Sequence, residues 1–398
     1  MTVQQKAFKS RRRYNQWVTN QTLEDFALRY TPVSARRWSA KRVVMTALSA
    51  ITFLALEAIG GALTLTYGFN YVVVAVILVS IIIFALSMPI AINAAKNGLD
   101  IDLLTRGAGF GYLGSTVTSL IYASFTFIFF ALEAAIMAMA LNMLFGLPLH
   151  FGYLIGSVVV IPLVTWGFTF ISRFQQFTQF CWLALQLLPF IFILIREHHV
   201  LQNWIDFPGF ITARDGSFDF LQLGAVCSVL LSLVSQVGEQ VDQVRFLPKP
   251  QHPARWRWYG AVIAAGPGWV VIGAIKILLG SFLAVLAFNY GLGAELASEP
   301  THMYLVAFSY VTHSSSTLLA LTGIFVVLSQ LKINVTNAYA GSIAWSNFFL
   351  RLTHRHPGRV VWLFFNVGIA LLLMELGVSR VFDDLLGIYA VAARSWLG

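Results

Sequence analysis

Apolar and polar positions along this chain fall into long blocks, without the short periods of a soluble fold. Apolar runs of roughly 20 residues cover about 43–67, 71–95, 113–145, 152–171, 176–195, 219–238, 259–289, 304–331 and 359–377. A tenth starts near Phe382 and continues to Gly398. Runs of this length match the hydrocarbon core of a bilayer as helices. Backbone surrounded by lipid must satisfy its own polar groups, which leaves helices as the structure for such runs. The pattern predicts an all-α polytopic membrane protein with a ten-helix core. The tenth run carries Arg394 and reaches only the minimum span, which reads as a short or truncated final helix.

Composition removes the alternatives. The chain has 398 residues, 58% of them hydrophobic and only 11% charged, where a soluble domain carries about 25% charged residues. One soluble core could not hide this much apolar surface. The net charge is +9, and residues 1–42 hold ten basic residues against Glu24 and Asp25. That basic segment runs directly into the first apolar run, so it reads as a cytoplasmic anchor facing anionic lipid, not as a nucleic-acid arm. No cleavable signal precedes it. Cys181 and Cys227 both lie in apolar runs. They offer neither a disulfide framework nor a metal site.

Orientation follows from the remaining charges. With the N-terminus inside, the inner segments collect twenty of the 26 basic residues, and the outer loops hold only Arg196, Arg214 and Arg380. This is the positive-inside asymmetry of a multi-pass inner (plasma) membrane protein. Ten spans divide as five plus five around the outer loop at 196–218, giving repeats over 43–195 and 219–398. Five is odd, so the second repeat must insert upside down, with spans one and six as the discontinuous pair. Gly60-Gly61 beside Glu57, and Ser235-Gln236-Val237-Gly238 before Glu239, mark the expected breaks, with glycine used for close helix packing as the alternative at each.

Three stretches carry a resemblance. They are Gly98-Leu99-Asp100 with Leu104-Thr105-Arg106 and Phe110-Gly111-Tyr112-Leu113-Gly114-Ser115, then Asp242-Gln243-Val244-Arg245-Phe246, then Asn334-Val335-Thr336-Asn337-Ala338-Tyr339-Ala340. In this order and these places they resemble the nucleobase:cation symporter family, which includes the purine–cytosine permeases and hydantoin transporters. Leu113 stands where the family usually has Arg, and the family's last two helices lie beyond this chain's ten. The resemblance implies a leucine-transporter-like fold of two inverted repeats. It also implies alternating access around a site between spans one, three, six and eight.

The candidate residues follow from burial cost, since an ionisable group inside a membrane needs a partner or a function. The family places an aromatic platform and an amide in span three. The matching positions here are Phe129 and Glu133, four residues apart and therefore on one helical face. Glu133 would accept ring N–H donors when ionised, donate one bond when protonated, and could carry a proton. The alternative is a carboxylate held within helix packing. Asn337 matches the family's span-eight amide, which can donate and accept at once. Gln236 stands where a second aromatic is usual, so the aromatic sandwich is incomplete. Glu57 is a further substrate-site candidate, and Lys276 either pairs with a carboxylate or faces a cavity. Glu239, Lys332, Asp242 and Arg245 are candidates for coupling or gating. Sodium-coupled members carry small hydroxyl residues where this chain reads Leu328-Ser329-Gln330-Leu331-Lys332. An ammonium there could take the place of the cation, or could reach the cytoplasmic interface. Asp242 and Arg245 read first as a local ion pair.

These readings point to membrane transport of a small polar, nucleobase-like or related heterocyclic solute. Coupling, if present, would be to a proton and not to sodium. No enzyme chemistry, cofactor, metal or nucleic acid is called for, and oligomeric state leaves no signal. The rival reading is a solute-sensing membrane module of a larger signalling protein, joined to a histidine kinase or cyclase and truncated after helix ten.

Overall fold

A computed structural model describes residues 13–14, 23–27, 30–36, 38–197, 199–211, 218–250 and 255–377. The expected tenth span at 382–398 lies outside the described residues. The rest is an all-α polytopic membrane protein. Spans one to five are Ala40–Ser49 with Ala55–Tyr67, Phe69–Asn97, Gly111–Phe145, Leu149–Val158 with Val160–Thr165, and Gly167–Arg196. Span six joins Phe220–Leu231 to Gln236–Val244 through a 3-10 turn at Ser232–Ser235. Span seven is Arg255–Ala265 with Trp269–Asn289, span eight Ser315–Thr353, and span nine Arg359–Glu375. Six helical stretches, Phe69–Asn97, Ile101–Phe145, Gly167–Arg196, Phe220–Val244, Arg255–Asn289 and Ser315–Thr353, are long and apolar enough to cross a membrane. Spans one and four are interrupted, and span nine is 17 residues long.

The expectation for span eight needs correction. The apolar run at 304–331 is two elements: a short helix at Pro300–Ser309 and the start of a helix that continues to Thr353. Lys332, Asn334, Asn337, Asn347 and Arg351 therefore lie within span eight, buried by neighbouring helices. A hydropathy count ends the helix where polar residues begin. Here those polar residues face protein, not lipid.

Gly60 and Gly61 do not unwind span one. A Cβ on Gly60 would stand 2.0 Å from the carbonyl oxygen of Ile277, and one on Gly280 would stand 2.2 Å from the backbone of Glu57. The glycines let spans one and seven cross backbone to backbone, the small-residue packing of membrane helices. The interruption lies about two to three turns earlier, at Ala50–Leu54. In span six the helix tightens at Ser232–Ser235 and is α-helical again from Gln236, one turn before the expected place.

The segment expected to face lipid is partly folded onto the protein. Glu24 accepts the Thr169 backbone N–H at 2.8 Å, and Asp25 accepts that of Arg359 at 2.8 Å. Arg36 donates to the carbonyls of Leu247 (2.7 Å), Lys96 (3.3 Å) and Ala95. Trp38 packs edge-on against Phe168 and Phe246 at 5.0 and 5.3 Å. On the opposite face, the loop after span five returns to span one. Gly68 holds φ +88° against the carbonyl of Pro208, where a Cβ would stand 2.3 Å away.

Candidate functional site

The break in span one organises its surroundings. A helix start leaves backbone N–H groups without intrahelical acceptors. At the second half of span one, the Leu54 N–H is met by Gln330 Oε1 and the Ala55 N–H by Glu133 Oε1, each at 3.4 Å. Thr52 within the break donates to the Ser329 carbonyl at 2.9 Å, and Trp182 Nε1 donates to Ser329 Oγ at 2.9 Å. Spans three and eight are thus stitched to the interruption, and span five to span eight. Phe53 meets the ring of Phe129 edge-on at 6.3 Å, and Phe129 lies 4.5 Å from Phe125. Phe129 and Glu133 present one face to the break. Among the described residues, the second carboxyl oxygen of Glu133 has no hydrogen-bond partner, nor has Gln330 Nε2.

Glu57, half a turn further along span one, has a different environment. Lys276 Nζ lies 2.5 Å from its Oε1. Tyr304 donates to the same oxygen at 3.2 Å, and Gln186 donates to Tyr304 at 2.6 Å. The ammonium also stands 5.6 Å from the Trp182 ring centroid. Opposite charges so close offset much of each other's desolvation. Glu57 is a paired carboxylate. Glu133 has no cation within ion-pair distance among the described residues.

Lys332 does not reach an interface. Its Nζ is buried between spans eight and five and donates to the Gln175 carbonyl at 3.1 Å and to Thr178 Oγ1 at 3.0 Å. Gln175 Nε2 returns a bond to the Lys332 carbonyl at 2.7 Å. All its described partners are neutral oxygens, the ligands a hard cation would use. Asn337 is buried and donates to Asn334 Oδ1 at 3.4 Å.

On span six, Gln236 Nε2 donates to Glu239 Oε2 at 2.7 Å. Asp242 accepts from the Tyr122 hydroxyl at 3.1 Å. The side-chain ion pair expected between Asp242 and Arg245 does not form. Arg245 Nε instead donates to the Asp242 carbonyl at 3.1 Å, and its Nη1 lies 3.6 Å from Asp100 Oδ2. Asn347 donates to Asp102 and, at 3.5 Å, to Asp100.

The structure brings Glu133 and Phe129 together at the break. It joins Gln236 to Glu239, and leaves Lys332 and Asn337 in contacts of their own. No described hydrogen bond links Gln236 or Asn337 to Glu133. Sequence reading did not single out Thr52, Trp182, Gln186 or Tyr304. The available signal was a hydrogen-bonding side chain inside an apolar run, which matters most for Gln186.

No family model and no curated protein matches the sequence. Solved structures do. One is the nucleobase-cation-symport-1 family transporter Mhp1 in a closed conformation with bromovinylhydantoin bound. It is 16% identical, with a TM-score of 0.68, over 92% of this chain and 77% of that one. Another is a Na+-coupled sialic acid symporter in a substrate-bound outward-open state. It is 14% identical, with a TM-score of 0.62, over 94% of this chain and 80% of that one. The chain therefore has the leucine-transporter-like fold of these membrane transporters.

Proposed function

We propose that the chain transports a small polar, nucleobase-like or related heterocyclic solute by alternating access, with its N-terminus in the cytoplasm and the inner (plasma) membrane as its seat. Residues 43–195 and 219–398 are its two inverted repeats. The observation that carries this reading is the broken span one, whose freed N–H groups are met by side chains of spans three and eight beside the Phe53 and Phe129 rings. Aromatic faces suit a flat heterocycle, and the free oxygen of Glu133 suits its N–H edge. Asn337 and Gln236 complete the solute contacts, and Glu57 holds span seven in place behind them.

Coupling is to a proton and not to sodium. Lys332 already sets an ammonium among the Gln175 and Thr178 oxygens, so a second cation there would meet a like charge. Glu133, without a cation of its own, takes the proton. Uptake of labelled uracil and labelled benzylhydantoin into liposomes holding the full chain tests both points. Wild type should show saturable, acid-driven uptake without sodium. Glu133→Gln and Asn337→Ala should each lower it at least about tenfold, the effect of one lost buried bond to a charged or amide group. Unchanged uptake in both variants would remove them from the site.

A further inference from the structure

Glu239 and Asp242 stand three residues apart on the second half of span six, with Gln236 three residues before them, so the three form one stripe on the helix. The stripe runs from the middle of the span toward the face that carries the N-terminal segment. All three side chains are buried. One oxygen of Glu239 is bonded by Gln236 and one of Asp242 by Tyr122. The other oxygen of each, Glu239 Oε1 and Asp242 Oδ1, has no hydrogen-bond partner among the described residues.

The charges around the stripe do not balance. Asp100 and Asp102 come from the start of the short helix Ile101–Thr105 after span two, Tyr122 from span three, Tyr339 and Arg351 from span eight, and Arg245 from the end of span six. Arg245 faces Asp100. Arg351 spends its donors on the Ser115 carbonyl, Ser119 Oγ at 2.7 Å and the Asp102 carbonyl at 3.4 Å, and on no carboxylate. Among the described residues, four buried carboxylates thus share two guanidiniums. A buried charge without a counter-charge is strongly disfavoured. No cluster able to hold a metal ion occurs among the described residues. The compensating species is a proton.

We propose that Glu239 and Asp242 are a proton-binding stripe that hands protons between the centre of the protein and its cytoplasmic face. A proton passing from Glu239 to Asp242 breaks one carboxyl O–H bond and forms another, leaving the total charge unchanged. Tyr122 holds one Asp242 oxygen so that the other stays available. This rests on the transport reading for the use made of the proton, but not for its presence.

Infrared spectroscopy of the full chain in liposomes tests the presence directly, with no solute needed. The wild type should show a carboxylic-acid C=O stretch at neutral pH that shifts in heavy water. Glu239→Gln and Asp242→Asn should each remove a component of that band, while Glu57→Gln, whose parent carboxylate is paired with Lys276, should leave it unchanged. Glu239→Asp should restore a shifted component even if the amide variants fold poorly. Absence of the band in the wild type, or a band unaltered in both amide variants, overturns the proposal. If the band behaves as expected but uracil and benzylhydantoin are not taken up, the stripe stands and the solute reading falls.

Discussion

Spans one and six were expected to open in the same way and do not. Span one loses its helix over Ala50–Leu54, whereas span six only tightens through Ser232–Ser235. The difference lies in what each finds nearby. In span one the freed backbone meets Gln330, Glu133 and, through Thr52, the Ser329 carbonyl. In span six the side chains turn to one another, as Gln236 does to Glu239. A helix in a membrane opens where neighbours replace its lost bonds, since lipid offers none. Glycine content alone does not decide it.

The largest effect should come from the ion pair that fixes the second half of span one. Lys276→Met leaves Glu57 buried with only the Tyr304 hydroxyl, and removal of one partner of a buried pair costs about 3–5 kcal/mol. The thermal midpoint in detergent should fall steeply, and the double variant Lys276→Met, Glu57→Gln should recover most of the loss. Among the described residues, no comparable charged clamp holds the first half of span six. If the double variant is as unstable as the single one, charge pairing is not what holds span one to span seven.

Next come the glycines. Gly60→Ala forces a methyl group against the backbone oxygen of Ile277, which cannot swing aside. Gly238→Ala meets the ring of Tyr122 at 2.4 Å, a side chain that can move. Overpacking of this kind costs about 1–3 kcal/mol, with Gly60 at the upper end and Gly238 at the lower. The second change should also loosen the Tyr122 bond to Asp242, and so alter the carboxylic-acid band as well as stability. Equal destabilisation by the two substitutions would mean that the backbone crossing of spans one and seven is no tighter than the span-six contact.

Where the long helices lie among the described residues was legible because lipid demands long apolar runs, and the run near 71–95 needed only its ends adjusted to Phe69–Asn97. Span eight was misjudged for the same reason in reverse. From Lys332 to Arg351 its polar residues are enclosed by protein, and hydropathy has no means of knowing that. The pairing of Phe129 with Glu133 on one face could be read from a spacing of four. Their partners could not. Gln330 reaches the break from 276 residues along the chain, and Tyr304 reaches Glu57 from 247. Such contacts follow from how the spans are arranged, and no local pattern announces them. The glycine pair was visible, but a glycine that permits unwinding and one that permits close approach look alike until the neighbouring helix is in place.

The smallest effect separates the spans from outside the membrane. Glu299 begins the helix at Pro300–Ser309, where it accepts the N–H groups of Thr301 and His302 and lies 2.6 Å from His302 Nδ1. Burial alone would raise the Glu299 pKa, but the bonds from His302 and Thr301 outweigh it and hold it below its ordinary 4.5. The bond to Glu299 raises that of His302 above its ordinary 6.5, against a smaller opposing effect of burial. The Glu299 contribution is present above pH 4.5 and lost as pH falls through the lowered value. The His302 contribution is complete below pH 6.5 and lost as pH rises through the raised one. Their joint stabilisation is therefore greatest between pH 4.5 and 6.5. It should stay under about 1 kcal/mol, because the His302 side chain is 40% exposed and water screens the pair. The same short helix carries Tyr304, which bonds Glu57 on span one. Against wild type, His302→Gln should lower the thermal midpoint in that window and lose the difference in alkaline buffer. Hydrogen exchange should rise over residues 55–67 and stay level over 220–244. A rise over both would mean that the outer helix steadies the two spans alike, and that their difference is confined to the membrane interior.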